Sequence, residues 1–284
     1  SLGLVGSEMC IRDRTALPSM SSVLFLFLSH LGIGVAGTLL LVGDTAGVKF
    51  FRFNTGLAGA LLLSALAFWP ENSLGEMTGV TFWTLALVTA AVVIYWSTVG
   101  RVLSGLRPVL LWTAAIGGVC ALAAQGYALS AADMGPWPVL TIASFLSSAA
   151  LLGGTCTAMI LGHWYLVLPS MDVSLLQGMV KFHIGSTIDR IVVVGVVVAV
   201  ALSSWESPGG IGFDRYALSL EGIFLWQRVL FGLLGPSVLA YLTWETAKIQ
   251  STQSATGSLY VDLFTVIVGE VLAKYLLVSQ RVPL

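Results

Sequence analysis

Glu270 and Lys274 stand four residues apart in the otherwise apolar run Val266–Val278. On a helix that spacing puts a carboxylate and an ammonium group on one face. An ionisable side chain inside a long apolar segment is costly unless it has a partner or a task. The other ionisable residues read within such segments are His30, Asp189, Arg190 and Arg228, with His163 and His183 at segment ends. Their types limit the chemistry. A site that oxidises a quinol needs an apolar groove for the tail, hydrogen-bond partners for two ring oxygens, and a group that accepts protons. A histidine and a carboxylate supply the last of these, tuned by a neighbouring cation. His30 and Glu270 have the types of proton acceptors. Arg228 and Lys274 have the types that orient or polarise ring oxygens. A b-type haem instead needs two facing histidines at similar depth, and only His163 and His183 are so placed. Purely structural readings stand beside these: Glu270–Lys274 as an intrahelical ion pair, and Asp189 as the neutraliser of an arginine.

The elements that position these residues follow from composition. Of 284 residues, 57% are hydrophobic and only 10% are charged, against about 25% charged in soluble domains. That excludes a soluble globular domain, a disordered chain and a coiled coil. Thirteen Lys+Arg against fourteen Asp+Glu leave no basic surplus for nucleic acid. The apolar residues come in long runs without dyad alternation, which excludes a β-barrel. An all-α polytopic membrane protein remains, with the lipid bilayer as its first partner. A hydrocarbon core about 30 Å thick takes about 20 residues of helix. About eight spans are predicted, at roughly 21–43, 54–70, 78–99, 108–129, 138–163, 183–203, 223–244 and 259–279. The fifth has the option of continuing through Trp164–Leu168. Residues 250–257, QSTQSATG, read as a solvated turn.

Lys/Arg bias sets orientation. Alternate connections hold Lys49, Arg52, Arg101, Arg107, Lys181 and Lys248, whereas the opposite side holds Arg215 and Arg281. Both termini are therefore expected outside the cytoplasm, in a cytoplasmic (inner) membrane. In that topology His30, Arg228, Glu270 and Lys274 form an outer group. His163, His183, Asp189 and Arg190 form an inner group, and His183, Asp189 and Arg190 suit a proton path. Residues 1–14, ending SEMCIRDR, resemble translated adapter read-through rather than a targeting signal. Residues 1–19 are set aside as an artefact or tail, leaving 20–284 as one membrane domain. No C-x-x-C is present, so a structural zinc site or an iron–sulfur cluster has no motif.

The C-terminal third resembles the membrane anchor subunits of molybdopterin oxidoreductases, the dimethyl sulfoxide reductase type and the related polysulfide and nitrite reductase anchors. Gly269-Glu270-Val271-Leu272-Ala273-Lys274 is similar to a Gly-Glu-x-x-x-Arg pattern late in that family's last helix, with lysine in place of the arginine. Trp226-Gln227-Arg228 is similar to the Trp-Arg opening of its seventh helix. Gly162-His163-Trp164-Tyr165 has no counterpart there. The resemblance implies a non-catalytic subunit that exchanges electrons between membrane quinol (menaquinone or ubiquinone) and a partner iron–sulfur subunit, with a molybdopterin subunit beyond it. It implies quinone binding near the outer face, at His30, Arg228, Glu270 and Lys274. A proton-coupled transporter or permease, using the same buried charges for substrate, is the alternative.

Overall fold

The computed structural model describes residues 20–70, 78–100, 104–130, 135–168, 173–204, 212–220 and 222–284. Residues 1–19, Glu71 and Glu76, Arg101, and Trp205 with Pro208–Gly210 of the longest connection lie outside them. The described residues are helical, without a strand. Eight long helices occur among them: α1 (Met20–Thr38), α2 (Val48–Ala67), α3 (Thr78–Thr98), α4 (Arg107–Ser130), α5 (Trp137–Val167), α6 (Ser174–Ser204), α7 (Ile223–Lys248) and α8 (Thr252–Gln280). The first seven are long and apolar enough to cross a membrane. The eighth, 29 residues long, carries Asp262, Glu270 and Lys274 on its buried side. The chain is a multi-pass helical membrane protein. Large side chains such as Trp83, Trp112 and Val139 face outward, as expected where the solvent is lipid.

The helices pack as two four-membered rings. Contacts α1–α2, α2–α3, α3–α4 and α1–α4 close the first, and α5–α6, α6–α7, α7–α8 and α5–α8 close the second. Helices α1 and α5 join them, helped by α4–α5 and α1–α8. Close approach at two crossings depends on glycine. A Cβ on Gly34 would overlap the Ala149 carbonyl of α5, and one on Gly153 would overlap the Gly34 backbone. A Cβ on Gly269 would likewise overlap Gly232. With no hydrophobic effect between helices in lipid, small residues at crossings allow the contact that holds them. Gly37, by contrast, has open space beside it.

Two boundaries differ from the sequence reading in ways that matter for the site. Helix α6 begins at Ser174, nine residues before the expected start, so Lys181 and His183 are helical. Helix α8 begins at Thr252, so most of the polar 250–257 stretch is helix rather than turn. The turn shrinks to a few residues around Gln250, whose φ is +58°. Polar residues end a membrane span, but they do not end a helix. Helix α5 does continue, through Val167. Helix α7 contains a π-helical segment, Leu230–Leu234, just before Pro236, a rare irregularity that is frequent at functional sites.

Candidate functional site

The Glu270 carboxylate lies at the centre of the second ring, fully buried, and α5, α6 and α7 each send a polar group to it. Arg190 of α6 grips it with two bonds, Nε to Oε1 at 2.9 Å and Nη2 to Oε2 at 3.1 Å. Arg228 of α7 donates from Nη2 to Oε1 at 2.8 Å. Ser148 of α5 donates its hydroxyl to Oε2 at 2.5 Å. Lys274, one turn along α8, has Nζ 3.7 Å from Oε2 and donates to Ser148 Oγ at 2.8 Å. Its ammonium also sits over the Phe145 ring, 5.1 Å from the centroid. His30 reaches the same hydroxyl from α1, with Nδ1 3.3 Å from Ser148 Oγ, and packs edge-on against Phe145. Ser148 gives its one hydrogen to Glu270, so His30 Nδ1 is the donor in that contact and Nε2 is left bare. Gln125 of α4 lies beside the His30 ring.

Local geometry explains the convergence. Arg228 sits one turn before Gly232, and its guanidinium lies against the Gly232–Gly269 crossing. The bare glycines leave room for it, and the π segment is at the same turn. Arg190 is held from behind by serines of α5. Its Nη1 donates to the Ser144 carbonyl at 3.0 Å, Ser144 Oγ at 2.9 Å and Ser147 Oγ at 3.1 Å. Its Nη2 also donates to the Leu284 main-chain oxygen at 2.9 Å. Among side chains, three cationic groups surround one carboxylate. Not all their hydrogen-bonding capacity is used: Arg228 Nε and Nη1 and His30 Nε2 have no partner among the described residues. Buried polar groups are rarely left so. The arrangement can bind an oxygen-rich head group through Arg228 and exchange a proton through His30.

A second polar tier lies along the same three helices. His183 Nε2 of α6 is 2.6 Å from Asp262 Oδ2 of α8, both fully buried. His183 Nδ1 is 2.9 Å from Thr155 Oγ1 of α5. Each residue stands seven or eight positions from its counterpart in the first tier: Thr155 from Ser148, His183 from Arg190, Asp262 from Glu270. At 1.5 Å per residue the tiers are about 10–12 Å apart. The apolar Leu151 and Val266 lie between these levels.

The structure brings His30, Arg228, Glu270 and Lys274 together. It adds Arg190, which the sequence reading groups with His183 and Asp189. The early start of α6 is the reason: Arg190 is at mid-helix, level with Glu270, and not near an end. Asp189, one residue away and so rotated by about 100°, faces outward and is exposed. It joins neither His183 nor Arg190. His163 is exposed, with Nδ1 3.0 Å from the Tyr260 hydroxyl. It lies eight residues beyond Thr155 on α5, whereas His183 meets Thr155 itself. The two histidines therefore have different partners at different levels: His183 Nδ1 meets Thr155, and its Nε2 lies against Asp262 as an ion pair. Among the described residues no group of three or more His, Cys, Asp or Glu could hold a metal ion.

The sequence reading passes over Asp262, Thr155, Gln125 and the α5 serines. Asp262 had a signal, a carboxylate three residues inside the eighth expected span. The Ser147-Ser148 pair in an apolar run is a weaker one, since small hydroxyl residues are ordinary in membrane helices. No family model matches the chain, and no curated protein matches it.

Proposed function

We propose that this chain is the quinol-interacting membrane anchor of a respiratory oxidoreductase, passing electrons between membrane quinol and a partner iron–sulfur subunit. The observation that carries the reading is the buried cluster around Glu270, with spare donors on Arg228 and a bare nitrogen on His30. An apolar groove of about 370 Å³ supports it. Ile33, Gly34 and Gly37, one to two turns beyond His30, line it with Leu146 and Ala149, which flank the Ser148 region. A ring with its oxygens near His30 and Arg228 would have a place there for an isoprenoid tail. The geometry refines the roles. Glu270 is occupied by two arginines and a serine, so it serves as the fixed counter-charge that orients Arg228 and Lys274. His30 is the proton acceptor with a free nitrogen. The quinol is menaquinol or ubiquinol, the partners are iron–sulfur and molybdopterin subunits, and the orientation is both termini outside the cytoplasm.

The rival reading, a proton-coupled transporter or permease, would draw on the division into two four-helix rings. The charged cluster lies within the second ring and is bonded to itself, which favours the anchor. Organic extraction of the protein purified in mild detergent, with an optical spectrum of the same sample, tests the proposal. Stoichiometric quinone without a Soret band is expected, with the quinone lost in Arg228→Met. A sample that neither retains quinone nor rebinds an added short-chain quinol in lipid nanodiscs overturns it.

A further inference from the structure

We propose that His183 and Asp262 form a proton-holding site of their own, which takes up and releases a single proton inside the bundle, with Thr155 as its gate. This goes beyond the quinol reading and does not rest on it. The argument is one of hydrogen positions. Thr155 Oγ1 donates its only hydrogen to the Leu151 carbonyl at 2.8 Å. Its contact with His183 Nδ1 at 2.9 Å therefore needs the hydrogen on Nδ1. On the other side of the ring, Nε2 and Asp262 Oδ2 are 2.6 Å apart. Two bare acceptors repel at that distance, so a second hydrogen lies between them. The dyad in this geometry carries both hydrogens and is net neutral, as imidazolium with carboxylate or as imidazole with carboxylic acid.

The unloaded state differs by the Nδ1 proton and one hydroxyl rotation. When the Nδ1 proton leaves, one hydrogen remains, on Nε2 facing the Asp262 carboxylate. Thr155 then turns its hydroxyl from the Leu151 carbonyl to the bare Nδ1. Nδ1 therefore has a partner in both states. On the other side, His183 Nε2 and both Asp262 carboxylate oxygens are buried without a hydrogen-bond partner among the described residues, so the two side chains meet as an ion pair off the hydrogen-bond line. Ser186 and Thr187 both donate to the His183 carbonyl, at 2.9 and 2.8 Å. Their oxygens remain free to accept on the side of α6 that leads to Arg190.

The other ionisable groups of this half of the bundle are engaged elsewhere. His163 of α5 meets Tyr260 of α8, and Lys248 of α7 pairs with Glu245. Lys181 of α6 lies over the Trp244 ring. Cys156 of α5 is a buried free thiol. Arg190, further along α6, is bound to Glu270. Among the described residues, no ion pair joins a third charged group to the dyad.

The chain has three histidines, which makes a direct test practical. Ring-¹⁵N-histidine-labelled protein in lipid nanodiscs, with His30→Gln and His163→Gln used for assignment, is titrated by NMR without any quinone. His183 should show ring-nitrogen signals that change in one single-proton step. That signature should vanish in Asp262→Asn. Thr155→Val, which keeps the shape but removes the hydroxyl, should change the Nδ1 signal and its step and provides the test if Asp262→Asn does not fold. Neutral His183 signals that do not titrate in the wild type, or that are the same in wild type and variants, overturn the proposal. Because no quinone is present, that failure is separate from a failure of the quinol reading.

Discussion

The two polar tiers of the second ring use the same three helices but solve the problem of buried charge in opposite ways. Around Glu270 the charges are fixed: two arginines and a lysine converge on one carboxylate, tied through serines. Around His183 and Asp262 there is one pair and one hydroxyl, and the balance depends on where a proton sits. The first tier is dominated by permanent charges and suits binding, with His30 at its edge. The second has no permanent cation and depends on a proton. Arginine supplies a planar, permanently charged fork for the first role, and histidine supplies a movable proton for the second.

The sharpest way to break this contrast is to neutralise one carboxylate in each tier. Glu270→Gln leaves three buried cations without their counter-charge and is expected to cost about 3–5 kcal/mol of stability, as does removing one partner of a buried ion pair. Asp262→Asn retains an amide that can donate to His183 Nε2, so its cost should be about 1 kcal/mol, the scale of a net hydrogen bond. Unfolding of both variants in the same detergent measures the difference. Equal losses would mean that the second tier is also a fixed ion pair.

A smaller effect is expected from Gly269→Ala, because a Cβ there meets Gly232 across the α7–α8 crossing. A cost of about 1–3 kcal/mol is expected, as for overpacking, together with a displaced Arg228 guanidinium. Gly37→Ala is the control, with open space at its Cβ, and should change stability by no more than about 0.5 kcal/mol. The smallest effect is expected at Asp189. It faces away from both tiers, so Asp189→Asn should stay within about 0.5 kcal/mol and leave the ¹⁵N spectrum of His183 unaltered. A changed spectrum would return Asp189 to the second tier.

How far the site was legible depended on helix phase. His30, Arg228, Glu270 and Lys274 stand out in the sequence because an ionisable residue in an apolar run is conspicuous on its own, and the structure brings them together. The sequence groups Arg190 with His183, whereas the structure pairs it with Glu270, because the first nine residues of α6 are helix and not loop. Polar residues at 174–183 dilute the hydrophobic signal without ending the helix. Asp189 and Arg190 are adjacent in sequence and look like one feature, yet a helix turns them to different faces. Ser148, the residue that ties His30, Lys274 and Glu270 together, carries no charge and has no signature by itself. Its importance comes from three other helices meeting it.

The sequence by itself determined that this is an all-helical membrane protein, because apolar runs of spanning length have no other stable form in which every backbone group is satisfied in lipid. It also determined which residue types were available for chemistry. Only the tertiary structure decided their grouping: two rings instead of one undivided bundle, Arg190 with Glu270, His183 with Asp262, and His163 with neither. Those pairings depend on the rotation and depth of each helix, which glycine crossings and a π segment set through contacts between residues far apart in the chain.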